Sequence, residues 1–212
     1  MLLIVLCGLC GVAAGYAGRL VVARTTSSPE RLVWWLPEVV TGLLFGLAGW
    51  RMGLSAELFL VCFVSWLAVV LSIVDIAEHR LPNVVTLPSY AVAGLWLAGV
   101  AYVRADWASL GRAALAMLVA LVVFALLCAI RGMGLGDVKL AGVLGLALGW
   151  FGWPTLVAGL VLCFVYGGLI SGVLMLVRIV GRRTRIPFGP FMFAGALTAF
   201  YATDVLVRLG MP

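Results

Sequence analysis

Eight apolar runs, broken only by charges and by Pro/Gly clusters, fill the chain from Leu2 to Leu206. They cover residues 2–22, 33–50, 54–74, 84–103, 113–130, 138–153, 156–177 and 188–206. Each approaches the ~20 residues a helix needs to cross the hydrocarbon of a bilayer. Strands do not fit, because a transmembrane strand alternates polar and apolar residues and these runs are apolar on every face. Hydrophobic residues make up 65% of the chain and charged residues 10%, against about 45–50% and about 25% in soluble domains. A water-soluble globule and a disordered chain are both excluded. The expected fold is all-α, a polytopic membrane bundle of about eight transmembrane helices forming a single domain over residues 1–212.

Three runs need comment. The sixth is short, about 24 Å at 1.5 Å per residue, and is expected to thin the bilayer or to start inside a protein-lined cavity. The second contains Pro37-Glu38, which blurs its start. Met1 to Tyr16 imitates a signal peptide but lacks a basic n-region, and with spans following throughout it reads as a retained first helix.

Thirteen Arg and one Lys give a net charge of +6. No basic patch with interleaved aromatics exists, so nucleic-acid binding is not expected, and the charges read as topology. The loops at 24–31, 75–83, 131–137 and 178–187 are each two spans apart and so share one side. That side collects Arg19, Arg24, Arg31, Arg80, Arg131, Lys139, Arg178, Arg182, Arg183 and Arg185, against Arg51, Arg104, Arg112 and Arg208 on the other. Ten against four makes it cytoplasmic, with both chain ends outside. Membrane lipids are an expected partner. Arg182-Arg183-Thr184-Arg185 reads as a topology anchor on anionic lipid, and Trp34, Trp35, Trp107 and Trp153 as interfacial belt residues. Cys7, Cys10, Cys62, Cys128 and Cys163 all lie in apolar runs and read as small buried hydrophobes. Cys7-Gly8-Leu9-Cys10 lacks the second pair that structural zinc requires.

Of the eight acidic residues, Glu30, Glu57, Asp106 and Asp204 read as interfacial. Glu38 lies within a span, which makes it a functional candidate by default. Asp75 and Asp137 differ from the rest. Asp75 ends the run Val69-Val70-Leu71-Ser72-Ile73-Val74, and Asp137 follows Gly132-Met133-Gly134-Leu135-Gly136 and opens the sixth span. The parity of spans puts both at the cytoplasmic boundary, 62 residues apart in sequence. Two carboxylates sharing a site cannot both ionise easily, so one keeps a proton. One then deprotonates a water while the other protonates or polarises a carbonyl, the minimum for peptide hydrolysis without metal or covalent intermediate. The glycines before Asp137 let an extended backbone approach it. The same residues also fit helix capping, pairing with Arg, or a proton or cation pathway. Helix ends distinguish the two. Asp137 is expected at a helix N-terminus, where the anion is favoured, and Asp75 at or just past a C-terminus, where it is not.

Asp75-Ile76-Ala77-Glu78-His79-Arg80-Leu81-Pro82-Asn83 resembles the first signature of the type IV prepilin peptidases, an Asp followed six residues on by Leu/Ile-Pro. Gly132-Met133-Gly134-Leu135-Gly136-Asp137-Val138-Lys139-Leu140 resembles their Gly-x-Gly-Asp motif with its trailing Lys, and Pro187-Phe188-Gly189-Pro190-Phe191 a third stretch. The resemblance covers about residues 54–196. It implies catalytic roles for Asp75 and Asp137, with Gly134, Gly136, Lys139, Leu81 and Pro82 supporting the motifs. It implies removal of a short basic leader from prepilin or pseudopilin substrates at the cytoplasmic face of a bacterial inner membrane. No cofactor is implied, and one histidine without a ligand cluster argues against a catalytic zinc. His79 reads as a solvated loop residue, and Lys139 as a contact to lipid phosphate or substrate.

Longer members of that family carry a domain with two Cys-x-x-Cys pairs after the first span and methylate the new N-terminus. Residues 23–32 are too few for such a domain, so no methyltransferase activity is expected. A transporter or proton-coupled channel would show paired broken helices in an internal repeat, and none is visible. An inactive scaffold would not need both aspartates. A presenilin-like peptidase shares Gly-x-Gly-Asp, but not the Leu81-Pro82 signature or the Pro187-Phe188-Gly189-Pro190 stretch.

Overall fold

The computed structural model describes residues 1–26, 35–130, 133–179, 181 and 186–208, with side chains through residue 202. Glu30, Arg31, Trp34, Arg131, Gly132 and residues 182–185 lie outside the described residues, as do the side chains of Asp204 and Arg208.

Each expected run is a helix. In chain order they are α1 (Leu2–Thr25), α2 (Leu36–Met52), α3 (Ala56–Glu78), α4 (Asn83–Arg104), α5 (Trp107–Ala129), α6 (Leu135–Phe151), α7 (Trp153–Leu176) and α8 (Gly189–Arg208). Among the described residues five of them, α1, α3, α4, α5 and α7, are long and apolar enough to cross a membrane, and α8 contributes the shorter apolar stretch Gly189–Ala202. The largest shift in a boundary is at α5, which starts at Trp107 rather than at residue 113. Arg112 had looked like an end. The true start is set by Asp106, whose Oδ1 accepts the Ser109 N–H at 3.0 Å. Hydrogen bonds from the Ser109 hydroxyl and backbone hold the Asp106 carboxyl below its usual range.

The chain divides into two compact units, Met1–Pro82 and Asn83–Pro212. In the first, α1 and α2 meet through their backbones. A Cβ on Gly11 would stand 2.6 Å from Thr41 O, and one on Gly15 would stand 2.6 Å from both Pro37 O and Glu38 Cα. Small residues permit such an approach, and in lipid the dispersion it gains is a main source of helix association. On α3, Val70 and Val74 bury against Val22, and Trp66 Nε1–H donates to Ala14 C=O at 2.9 Å. Glu38 has a structural partner here: its Oε1 lies 3.1 Å from Arg19 Nη1, with both side chains mostly buried. The cysteines depart from the expectation of uniform burial. Cys163 is buried, Cys7, Cys62 and Cys128 are half-buried, and Cys10 is exposed on the outward face of α1. An apolar face of a membrane helix meets lipid, so burial in protein is not required there.

In the second unit α6 is the central element, packed against α4, α5, α7 and α8. Every residue from Leu140 to Trp150 is buried. A helix that is apolar all round belongs inside protein, and this accounts for a 17-residue length of about 25 Å. Toward α5, Gly145 faces Ala120, 2.7 Å from the place of its absent Cβ, and Gly149 faces Ala116. Gly152 alone joins α6 to α7 at φ 137, a conformation side chains rarely adopt.

The last carbonyls of α6 are orphaned by the end of the helix. Arg112 of α5 takes them, with Nε donating to Gly149 O at 2.9 Å and Nη2 to Trp150 O at 2.7 Å. Arg112→Ala is therefore expected to cost about 2 kcal/mol, the scale of hydrogen bonds to a charged group. Arg112→Lys should recover part of the loss. A denaturation midpoint in detergent that does not move in the alanine variant would remove this cap from the account.

Candidate active site

Asp75 lies in the last turn of α3 and is 5% exposed. The apolar run is one continuous helix through Glu78, so Asp75 sits one turn inside the end rather than at or beyond it. The stop comes from His79, which is left-handed at φ 53 and donates its N–H to Asp75 C=O at 2.8 Å. His79 itself is exposed. Arg80 then pairs with Glu78 and reaches Thr25 C=O at 3.4 Å. Leu81 and Pro82 are half-buried. Pro82 disfavours a helical Leu81, so α3 does not run on as one helix into α4.

Asp137 is the third residue of α6, behind the N-cap Gly134. Its Oδ2 accepts the Gly134 N–H at 3.2 Å. Asp137 is therefore not the cap itself. It forms one half of a capping box, since glycine has no side chain to return the bond. Its side chain is half-buried, and Gly134 is exposed. A carboxylate in this first turn faces unpaired backbone N–H groups and the positive end of the helix dipole.

Lys139 is half-buried at the start of α6. Its Nζ donates to Asn83 Oδ1 at 2.9 Å. The residue that closes the first signature and the Lys that trails the second are thus joined within the second unit. Tyr90, which the sequence reading passed over, donates its hydroxyl to the Lys139 carbonyl at 2.6 Å. The available signal was a tyrosine in an apolar run, whose hydroxyl needs a partner when buried, seven residues from Asn83 and so near it on one helix face. The third stretch starts α8: the Phe188 carbonyl accepts the N–H groups of Phe191 and Met192 at 3.1 and 3.2 Å. The Phe188 ring packs against Phe164, centroids 5.4 Å apart, and over Gly167. Among the described residues no three His, Cys, Asp or Glu side chains gather as a metal site.

Five membrane-length apolar helices among the described residues define a multi-pass membrane protein, and two of its carboxylates stand in terminal turns, Asp75 in α3 and Asp137 in α6. Residues 62–207 match the model of the type IV leader peptidase family. That is more than half the chain and includes both aspartates, and the chain belongs to this family. Over 178 residues it is 32% identical to the prepilin leader peptidase/N-methyltransferase of Pseudomonas putida, covering 80% of this chain and 59% of that protein. The protein of the same name in Bacillus subtilis is 32% identical over 182 residues, 80% of this chain and 66% of the relative. The one in Pseudomonas aeruginosa is 29% identical over 180 residues, 82% of this chain and 59% of the relative. The chain therefore spans about three fifths of the length of these relatives. No solved structure matches it.

Proposed function

We propose that this protein is an aspartic endopeptidase of the bacterial inner membrane that removes the short basic leader from type IV prepilin-like proteins at the cytoplasmic face. Family membership supports the reading, and one observation carries it: both aspartates lie within the matched residues 62–207, each within the terminal turn of a helix. In this reading the two units serve one peptidase domain, and Asp75 and Asp137 act as a single pair. Asp137, beside the Gly134 N–H, is the charged member that takes a proton from water. Asp75, buried near a helix C-terminus, holds the proton that polarises the scissile carbonyl and later leaves with the amine. Gly134 and Gly136 leave room beside Asp137 for the backbone of the substrate, and Leu81 and Pro82 end the segment that presents Asp75.

Methyl transfer is not part of this proposal. The resemblance puts that activity in a domain following the first span, and here the link between α1 and α2 runs only from residue 26 to residue 35. The test is incubation of the purified protein in detergent with a panel of prepilins, read by mass spectrometry. Cleavage behind the leader with a free new N-terminus is expected. No cleavage of any prepilin would overturn the peptidase, and a chain-dependent gain of one methyl group would overturn the second statement.

A further inference from the structure

We infer that Tyr90 is a positioning residue for Asp137, acting through a clasp that α4 closes on the first turns of α6. The clasp has two points. Asn83 holds the Lys139 ammonium at 2.9 Å, and Tyr90 holds the carbonyl of the same residue at 2.6 Å. Main chain and side chain of one residue are thereby tied to one face of α4. Lys139 lies two residues beyond Asp137, and the intervening backbone is helical, so fixing Lys139 fixes the turn that carries the carboxylate. Gly142 completes the arrangement. The Tyr90 hydroxyl occupies the place a Cβ at 142 would need, with Leu121 next to it. Gly142 is in effect the receptor for the hydroxyl, and this gives a reason for glycine in the middle of a buried helix, where it is otherwise unfavourable. The clasp matters because the first turn of α6 is where a helix frays most readily. A catalytic group displaced by about 1 Å costs up to about 100-fold in rate.

The catalytic consequence rests on the peptidase reading, but the clasp does not, so the experiment reads each separately. Tyr90→Phe keeps the ring and loses only the hydroxyl. Hydrogen exchange of the detergent-solubilised protein is expected to speed up about fivefold at amides 135–143, the scale of one lost hydrogen bond, with no change at 144–151. Gly142→Ala must push the hydroxyl off the carbonyl and should give the same signature. In prepilin cleavage, kcat of Tyr90→Phe should fall about tenfold with KM unchanged and the melting temperature close to the parent's. Unchanged exchange at 135–143 in both variants would overturn the clasp. Faster exchange with an unchanged kcat would overturn the positioning role. An inactive parent would defeat the peptidase reading while the exchange data still decide the clasp.

Discussion

Asp75→Asn and Asp137→Asn are each expected to reduce leader cleavage by a factor of at least about 10³, within the range general acid–base catalysis supplies, while the protein should still insert and fold. Asparagine keeps the shape and part of the hydrogen bonding, so the loss reports the missing proton rather than missing volume. At Asp137 the amide oxygen can still accept the Gly134 N–H now found at 3.2 Å. At Asp75 the backbone closure by His79 is untouched. Asp106→Asn is the control. Asp106 caps α5 through Ser109, and its loss is expected to affect stability slightly and cleavage little. Full activity of either catalytic variant would remove the pair from the mechanism. Two carboxylates that share a site titrate as a unit, so a pH–rate profile would not assign the proton. Infrared difference spectra without substrate do: loss of a protonated-carboxyl band should follow Asp75→Asn more than Asp137→Asn, and the reverse pattern would reverse the roles.

Gly11→Ala and Gly15→Ala are expected to destabilise the first unit by about 1–3 kcal/mol each, the usual cost of overpacking. The atoms in the way are main-chain atoms of α2, which have no rotamer to move to: Thr41 O and Gly42 Cα at Gly11, and Pro37 O, Glu38 Cα and Glu38 N at Gly15. Relief requires α1 and α2 to separate. At Gly15 this would also stretch the 3.1 Å pair between Arg19 and the half-buried Glu38, and a carboxylate removed from water without its partner is costly. Gly8→Ala and Gly168→Ala test the opposite sign. Gly8 meets only Gly42 O at 3.7 Å and Gly168 nothing within 4 Å. There the better helix propensity of alanine, worth up to about 1 kcal/mol, is unopposed. The four variants are compared by denaturation midpoint in one detergent. Four equal midpoints would refute the backbone contact between α1 and α2.

What could be read from the sequence alone followed from how local each signal is. Helix number came from the length of uninterrupted apolar runs, a property of neighbouring residues. Asp75 and Asp137 were visible because a charge at the edge of an apolar run stands out against its surroundings, and because Gly-x-Gly and Leu-Pro mark backbone irregularities beside them. The boundary errors were also local. Arg112 passed for a helix end because a charge in a membrane sequence usually marks one, whereas Asp106 with Ser109 three residues later was the actual start signal. The pairings hidden in the sequence join distant elements: Arg19 with Glu38, Arg112 with the end of α6, Tyr90 and Asn83 with Lys139. No periodicity encodes them, because each depends on which helices become neighbours.

The glycines of α6 have a consequence for direction. Gly142, Gly145 and Gly149 lie on one side of the helix, against Tyr90, Ala120 and Ala116. Advancing the helix by one residue turns it by about 100° and would drive a leucine such as Leu144, Leu146 or Leu148 into the space these glycines leave. That space holds no leucine, since Ala113, Ala116 and Ala120 of α5 are already fully buried. The helix is keyed like a shaft in a slot, with a single permitted azimuth. Asp137 continues the same helix, so the compass bearing of the turn that the Lys139 clasp holds is inherited from contacts two to three turns away.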